Sequence, residues 1–170
     1  VTADAKAGWA NGTWQEARPS EHDFSAAKDT IDQHALLFKL VYTNDSLVLY
    51  ADVTDDFLYP SNPEVHKDQL IDGLEVSLDG RGAKEIGKSA YGTGVYQVMV
   101  YPGTPGTHPA FYSCPQGIEN LDVGSEKTDQ GYRIRAAFPF ASFCVDPGKP
   151  QKVRFDIGVN TADKNGARIG

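Results

Sequence analysis

Apolar residues recur at every second position along this chain, and that period constrains the fold more than any other feature. In Leu74–Asp79 (LEVSLD) the residues Leu74, Val76 and Leu78 fall on one side, and Glu75, Ser77 and Asp79 on the other. Successive strand side chains point to opposite faces, so this is the pattern of a strand with one buried face. Val153–Asn160 (VRFDIGVN) repeats it, with Val153, Phe155, Ile157 and Val159 opposed to Arg154, Asp156, Gly158 and Asn160. Leu36–Tyr42 and Leu47–Val53 flank the polar Thr43-Asn44-Asp45-Ser46 and read as a hairpin. Val95–Tyr101 and Gly131–Phe138 complete the strand set.

Connections rich in glycine and proline separate these runs, as in Gly80-Arg81-Gly82, Pro102–Gly106 and Asp146-Pro147-Gly148. Only Phe24–Thr30 and Phe140–Phe143 leave room for a helical turn. The expectation is one domain over residues 1–170: an all-β, antiparallel β-sandwich of immunoglobulin or jelly-roll type. Asn165-Gly166 is the strongest hairpin signal, yet only Ala167–Gly170 follow it. The sandwich is therefore expected to lack its last strand here, or to have that edge completed by something else, since an unpaired edge is a liability.

Charge and motifs then exclude function classes. A net charge of -7 with 16 scattered Lys and Arg gives no basic surface for nucleic acid, or for an anionic membrane. No apolar run reaches the roughly 20 residues of a membrane-spanning helix. The chain has no nucleophile elbow, zinc-protease helix, P-loop or dinucleotide glycine pattern, and no enzyme activity is expected. His22, His34, His66 and His108 are far apart, in loops, and read as solvated. Cys114 and Cys144 read either as a disulfide, which suits an extracytoplasmic protein, or as two buried thiols. Trp9 and Trp14 read as anchors of the N-terminal segment more readily than as a sugar platform. The loop Phe57-Leu58-Tyr59-Pro60 presents aromatic residues beyond a strand end, and Tyr59 is the candidate stacking residue. The acidic run Asp52-Val53-Thr54-Asp55-Asp56 suits a hard, oxygen-loving cation such as Ca²⁺, with Asp55 and Asp56 as candidate ligands.

Five segments in order resemble the family 9 carbohydrate-binding modules. They are Asn11–Trp14, Leu47–Asp56 (LVLYADVTDD), Asp72–Asp79 (DGLEVSLD), Gly131–Phe140 (GYRIRAAFPF) and Phe155–Asp163 (FDIGVNTAD). The resemblance implies a calcium-bearing β-sandwich that recognises the ends of sugar chains, in its best-known members between two tryptophans. Here Asn62-Pro63 leads into Glu64–Ile71 without a Trp, Met99 stands near the family's sugar-binding Arg, and Gly158 near its Gln. Only Glu75 keeps a sugar-contacting type.

A remodelled site is expected on one outward strand face carrying Glu75, Gln97, Tyr101, Arg135 and Asn160, with Met99, Arg133, Arg154 and Asp156 alongside. Arg135 stands where many members have Glu, which suggests an acidic sugar. The function expected is non-catalytic binding of a polysaccharide or oligosaccharide. The module would be secreted or extracellular (alternatively periplasmic or at the cell surface) and linked to other modules of a glycan-degrading enzyme. Two alternatives are a structural or interaction domain without a sugar site, and a b-type haem domain with Met99 as axial ligand.

Overall fold

The computed structural model describes residues 13–17, 35–64, 71–81, 94–149 and 151–166. Among these the chain forms β1 (Gln15–Ala17), β2 (Ala35–Tyr42), β3 (Ser46–Thr54), β4 (Gly73–Asp79), β5 (Val95–Tyr101), β6 (Phe111–Ser113), β7 (Asp122–Thr128), β8 (Gly131–Pro139) and β9 (Arg154–Asn160). They make two antiparallel sheets, one of five strands in the order β1-β2-β3-β8-β7 and one of four in the order β6-β5-β4-β9. A β-sandwich was the expectation, and it holds.

The alternation in the sequence builds the space between the sheets. Leu49, Ala51 and Val53 of β3 and Tyr132, Ile134, Ala136 and Phe138 of β8 face inward from one sheet. Leu74, Val76 and Leu78 of β4 and Val98 and Val100 of β5 meet them from the other. Phe38 and Phe155 close the gap between the sheets, with ring centroids 5.8 Å apart. Each fully buried aliphatic side chain contributes about 2 kcal/mol by leaving water. A single period-two pattern on each strand thus specifies both the core and the solvent faces.

Local chemistry sets the turns. At the β2–β3 hairpin the Thr43 hydroxyl donates to Asp45 at 2.7 Å and accepts the Ser46 N–H at 3.1 Å. A short 3₁₀ turn, Phe140–Phe143, follows β8 and ends at Cys144 in the left-handed region (φ 63). The Asn165-Gly166 turn also forms, its Gly166 N–H donating to the Asp163 carbonyl at 2.8 Å. The residues after it, 167–170, like Phe24–Thr30, lie outside the described residues. β9 is the last strand of its sheet among the described residues, and Phe155, Ile157 and Val159 are only half-buried there.

Three strands escape the period-two reading. β1 and β6 have three residues each, too few to show alternation. β7 (DVGSEKT) is a polar edge strand whose backbone pairing to β8 needs no apolar face.

Candidate functional site

The outward face of the four-stranded sheet carries most of the residues expected to bind a ligand, but half of it is closed. Glu75 lies opposite Met99 on one side and Gly158 on the other. Its carboxylate accepts a hydrogen bond from the Gln97 amide. One row away, Ser77 sits between Gln97 and Asp156. This half is polar and half-buried, and it holds no aromatic side chain among the described residues. Towards Gly73, Ile71, Met99 and Tyr101 form a small buried cluster that Tyr59 and Phe111 pack against. Tyr101 is 0% exposed and stacks on Phe111 at 4.6 Å, and Asn160 is buried with its amide 3.8 Å from the Met99 sulfur. Neither Tyr101 nor Asn160 presents a surface to a ligand. Both are corrections to the expected site, and their cause is the packing of Tyr59, Ile71 and Phe111 on an otherwise outward face. The same enclosure removes Met99 as a haem ligand, because its thioether points into a packed cluster.

Arg133 and Arg135 were expected on this face and lie on the opposite side of the molecule. They belong to β8, in the five-stranded sheet. Arg133 pairs with Asp52 at 2.8 Å and Arg135 with Asp122 at 2.6 Å. Alternation fixes which residues of one strand share a face, but not which sheet that strand joins. Arg135 instead stands in a cross-sheet row with Lys39, Tyr50 and Gly124. Lys39 is 2% exposed, its ammonium 4.6 Å from the Trp14 ring and 5.5 Å from Tyr50. Burial lowers the Lys39 pKa. Trp14 therefore covers this sheet as an anchor; Trp9 lies outside the described residues.

An open groove of about 580 Å³ lies where two loops meet. The Phe57–Asn62 segment forms one wall, and Thr104, Thr107 and His108 the other, with Lys164 at the margin. Thr104 donates its hydroxyl to the Ser61 carbonyl at 2.8 Å, which joins the walls. Thr104 and His108 also exchange backbone hydrogen bonds at 2.9 Å each way, closing the second loop on itself. Gly103 makes that closure feasible: its φ is +77, and a Cβ there would lie 2.4 Å from the His108 carbonyl oxygen. Tyr59 is held from below by the Ile71 cluster, while Phe57 is 42% exposed. A second groove of about 490 Å³ shares Thr107 and His108 and runs on to Gly124, Ser125 and Lys127. Of the expected site residues, only Tyr59 lines either groove. His108, Thr107 and Lys164 sit in turns without periodicity, and no signal in the sequence marks them.

The expected metal ligands are split by burial. Asp55 is buried and accepts the Phe57 N–H at 3.0 Å, whereas Asp56 is exposed. The buried companion of Asp55 is Asp72, which accepts N–H groups from Tyr59 and, at 2.7 Å, from Ala162. Burial first and the Asp55 charge second push the Asp72 pKa up to about 7. The buried Tyr132 hydroxyl lies in the field of both carboxylates and has no hydrogen-bond partner among the described residues. Its pKa is raised by burial and then by those two charges. Two buried acids beside an unpartnered phenol form an oxygen-rich, electron-rich pocket that suits a hard cation. No cluster of three or more His, Cys, Asp or Glu suited to a metal occurs among the described residues, so further ligands there would be carbonyl oxygens and water. Asp52 and Asp79 are excluded from this pocket because arginines hold them, Asp79 through Arg81 and Arg154. Cys114 and Cys144 are free thiols, Cys114 half-buried and Cys144 exposed, which corrects both the disulfide reading and that of two buried thiols.

Three comparisons place this geometry. The model of the carbohydrate family 9 binding domain-like family matches residues 4–170. No curated protein matches the chain. Two solved structures of a family 9 carbohydrate-binding module from Caldicellulosiruptor kristjanssonii, one in complex with cellotriose and one with glucose, superpose with a TM-score of 0.68. Each is 22% identical and covers 95% of this chain, and the match spans 71% and 73% of those chains respectively, a likeness of fold. With the family model spanning nearly the whole sequence, the chain belongs to the carbohydrate family 9 binding domain-like family.

Proposed function

We propose that the chain is a non-catalytic module that holds an oligosaccharide in the groove between the Phe57–Asn62 and Thr104–His108 segments. The observation that carries this reading is the juxtaposition there of Phe57 and Tyr59 with the side chains of Asn62, Thr107 and His108. A sugar ring has an apolar face that stacks on an aromatic side chain and a rim of hydroxyls that need hydrogen-bond partners. The polar half of the four-stranded face supplies only the second kind of group. Solved relatives that bind cellotriose and glucose support sugar as the ligand class. The groove's described lining has no Asp or Glu, so it lacks the carboxylate pair that hydrolysis of a glycosidic bond requires.

Calcium is part of the same proposal. Asp55 and Asp72 would hold it, and the ion would supply the positive charge that two buried carboxylates lack. Asp72 also accepts the Tyr59 N–H, so the pocket and the groove share a loop. Secretion, and linkage to the other modules of a glycan-degrading enzyme, complete the reading and follow from the family resemblance.

Titration calorimetry against a panel of neutral and acidic oligosaccharides tests it, with Phe57→Ala as the paired variant because Phe57 is exposed and its removal spares the core. At least one sugar is expected to bind and to lose about tenfold or more in affinity in the variant. Binding that the variant leaves unchanged, or no binding across the panel, contradicts the proposal.

A further inference from the structure

Charge is distributed unevenly over this protein. The chain has 23 acidic against 16 basic residues and a net charge of -7, so a surface stretch without carboxylates is unusual. The two adjoining grooves form such a stretch. Among the described residues that line them there is no Asp or Glu, while Lys164 lines the first and Lys127 the second. Thr107 and His108 line both grooves, so the two adjoin along this loop. Together the grooves offer about 580 and 490 Å³, each the size of a small-ligand site.

Their chemistry differs along the path. The Lys164 end has the aromatic side chains Phe57 and Tyr59. The Lys127 end has prolines, Val123 and Ser125 and no aromatic ring. One end therefore stacks a ring, and the other can hold a chain's continuation by polar and charge contacts. On a protein with a net charge of -7, described linings that carry lysines and no carboxylate favour an anionic ligand along this path.

We propose that the natural ligand is an anionic sugar chain, bearing uronate carboxylates or sulfate esters, that runs across His108 from the Phe57–Tyr59 groove into the Lys127 groove. This deepens the oligosaccharide reading above and rests on it. The acidic-sugar expectation drawn from Arg135 is not its basis, since Arg135 lies on the other sheet and pairs with Asp122.

The test measures affinities of an oligogalacturonate, its fully methyl-esterified form and a sulfated galactan oligosaccharide for the full chain at ~0.02 M and ~0.2 M salt. An anionic ligand is expected to bind at least about tenfold more tightly than the neutral ester and to lose most of that margin at the higher salt. Lys164→Gln and Lys127→Gln are each expected to weaken a long anionic chain about fivefold, several times more than they weaken the ester. A disaccharide is expected to respond to Lys164→Gln alone. Whether the uronate or the sulfated ligand carries the margin identifies the anion. Equal binding of ester and acid, with Phe57→Ala still abolishing both, overturns the anionic inference and leaves the groove reading intact. Binding indifferent to Phe57→Ala overturns the groove reading and this inference with it. A disaccharide that already has full affinity, insensitive to Lys127→Gln, overturns the two-groove path.

Discussion

The backbone N–H of Tyr59 donates to the carboxylate of Asp72, so the loop bearing the groove's aromatic residues is pinned to a buried acid. That acid sits in the fold with a pKa of about 7 against an ordinary value of 3.8. The folded state therefore holds the proton more tightly than the unfolded one. Its stabilisation is fully present below pH 3.8 and is lost as the pH rises through about 7. The loss from this one group is on the order of 4 kcal/mol. Denaturation of the chelator-treated protein across that window is expected to show the decline, and Asp72→Asn is expected to flatten it. Added Ca²⁺ is expected to raise the wild-type melting temperature near neutral pH, because a cation favours the ionised pair, and to leave Asp72→Asn unmoved.

Gly103→Ala tests the loop closure that shapes both grooves. The residue sits at φ +77, and the added methyl would meet the carbonyl oxygens of His108 and Pro109 at 2.4 Å. A cost of about 1–3 kcal/mol is expected in thermal or urea melts, with sugar affinity falling alongside. A variant with wild-type stability and affinity contradicts this role.

Much of the fold was legible before any coordinates, and the reasons are physical. Leu74, Val76 and Leu78 had to face inward because strand side chains alternate, and all three are fully buried. The Thr43–Ser46 turn and the Phe140–Phe143 turn fall where their residues suggest. The site was less legible, because it depends on which strands become neighbours. Arg135 and Glu75 both point outward, but from different sheets. Tyr101 also points outward, yet Tyr59 and Ile71, distant in sequence, pack into its cluster, which no periodicity encodes. Asp72 opens the segment Asp72–Asp79 and carries no separate signal in the sequence; only the fold brings it to Asp55 and Tyr132.

Trp14 is expected to matter for stability and not for sugar. It covers Lys39 at 4.6 Å on the five-stranded sheet and lines neither groove. Trp14→Ala is expected to cost about 1–2 kcal/mol by removing the cation–π contact and exposing the lysine stem and Tyr50. Calorimetry should then give unchanged sugar affinity. A tenfold affinity loss without destabilisation would move the site to this face.

Glu75 separates the groove from the sheet face. The family resemblance makes it a sugar contact, while in the structure it accepts from Gln97 on the half of the face without an aromatic ring among the described residues. Glu75→Ala is expected to alter affinity by about twofold at most, against about tenfold for Phe57→Ala. The reverse order of effects would return the site to the sheet.

The most direct measurement is a titration of ¹⁵N-labelled protein with the tightest-binding oligosaccharide of the panel, followed by amide chemical shifts. The largest changes are expected at Phe57, Tyr59, Thr104, Thr107 and His108, with Glu75, Gln97, Lys39 and Arg135 nearly still. Changes centred on Glu75 and Gln97, or on the Trp14–Lys39–Tyr50 row, would contradict a sugar site in the groove.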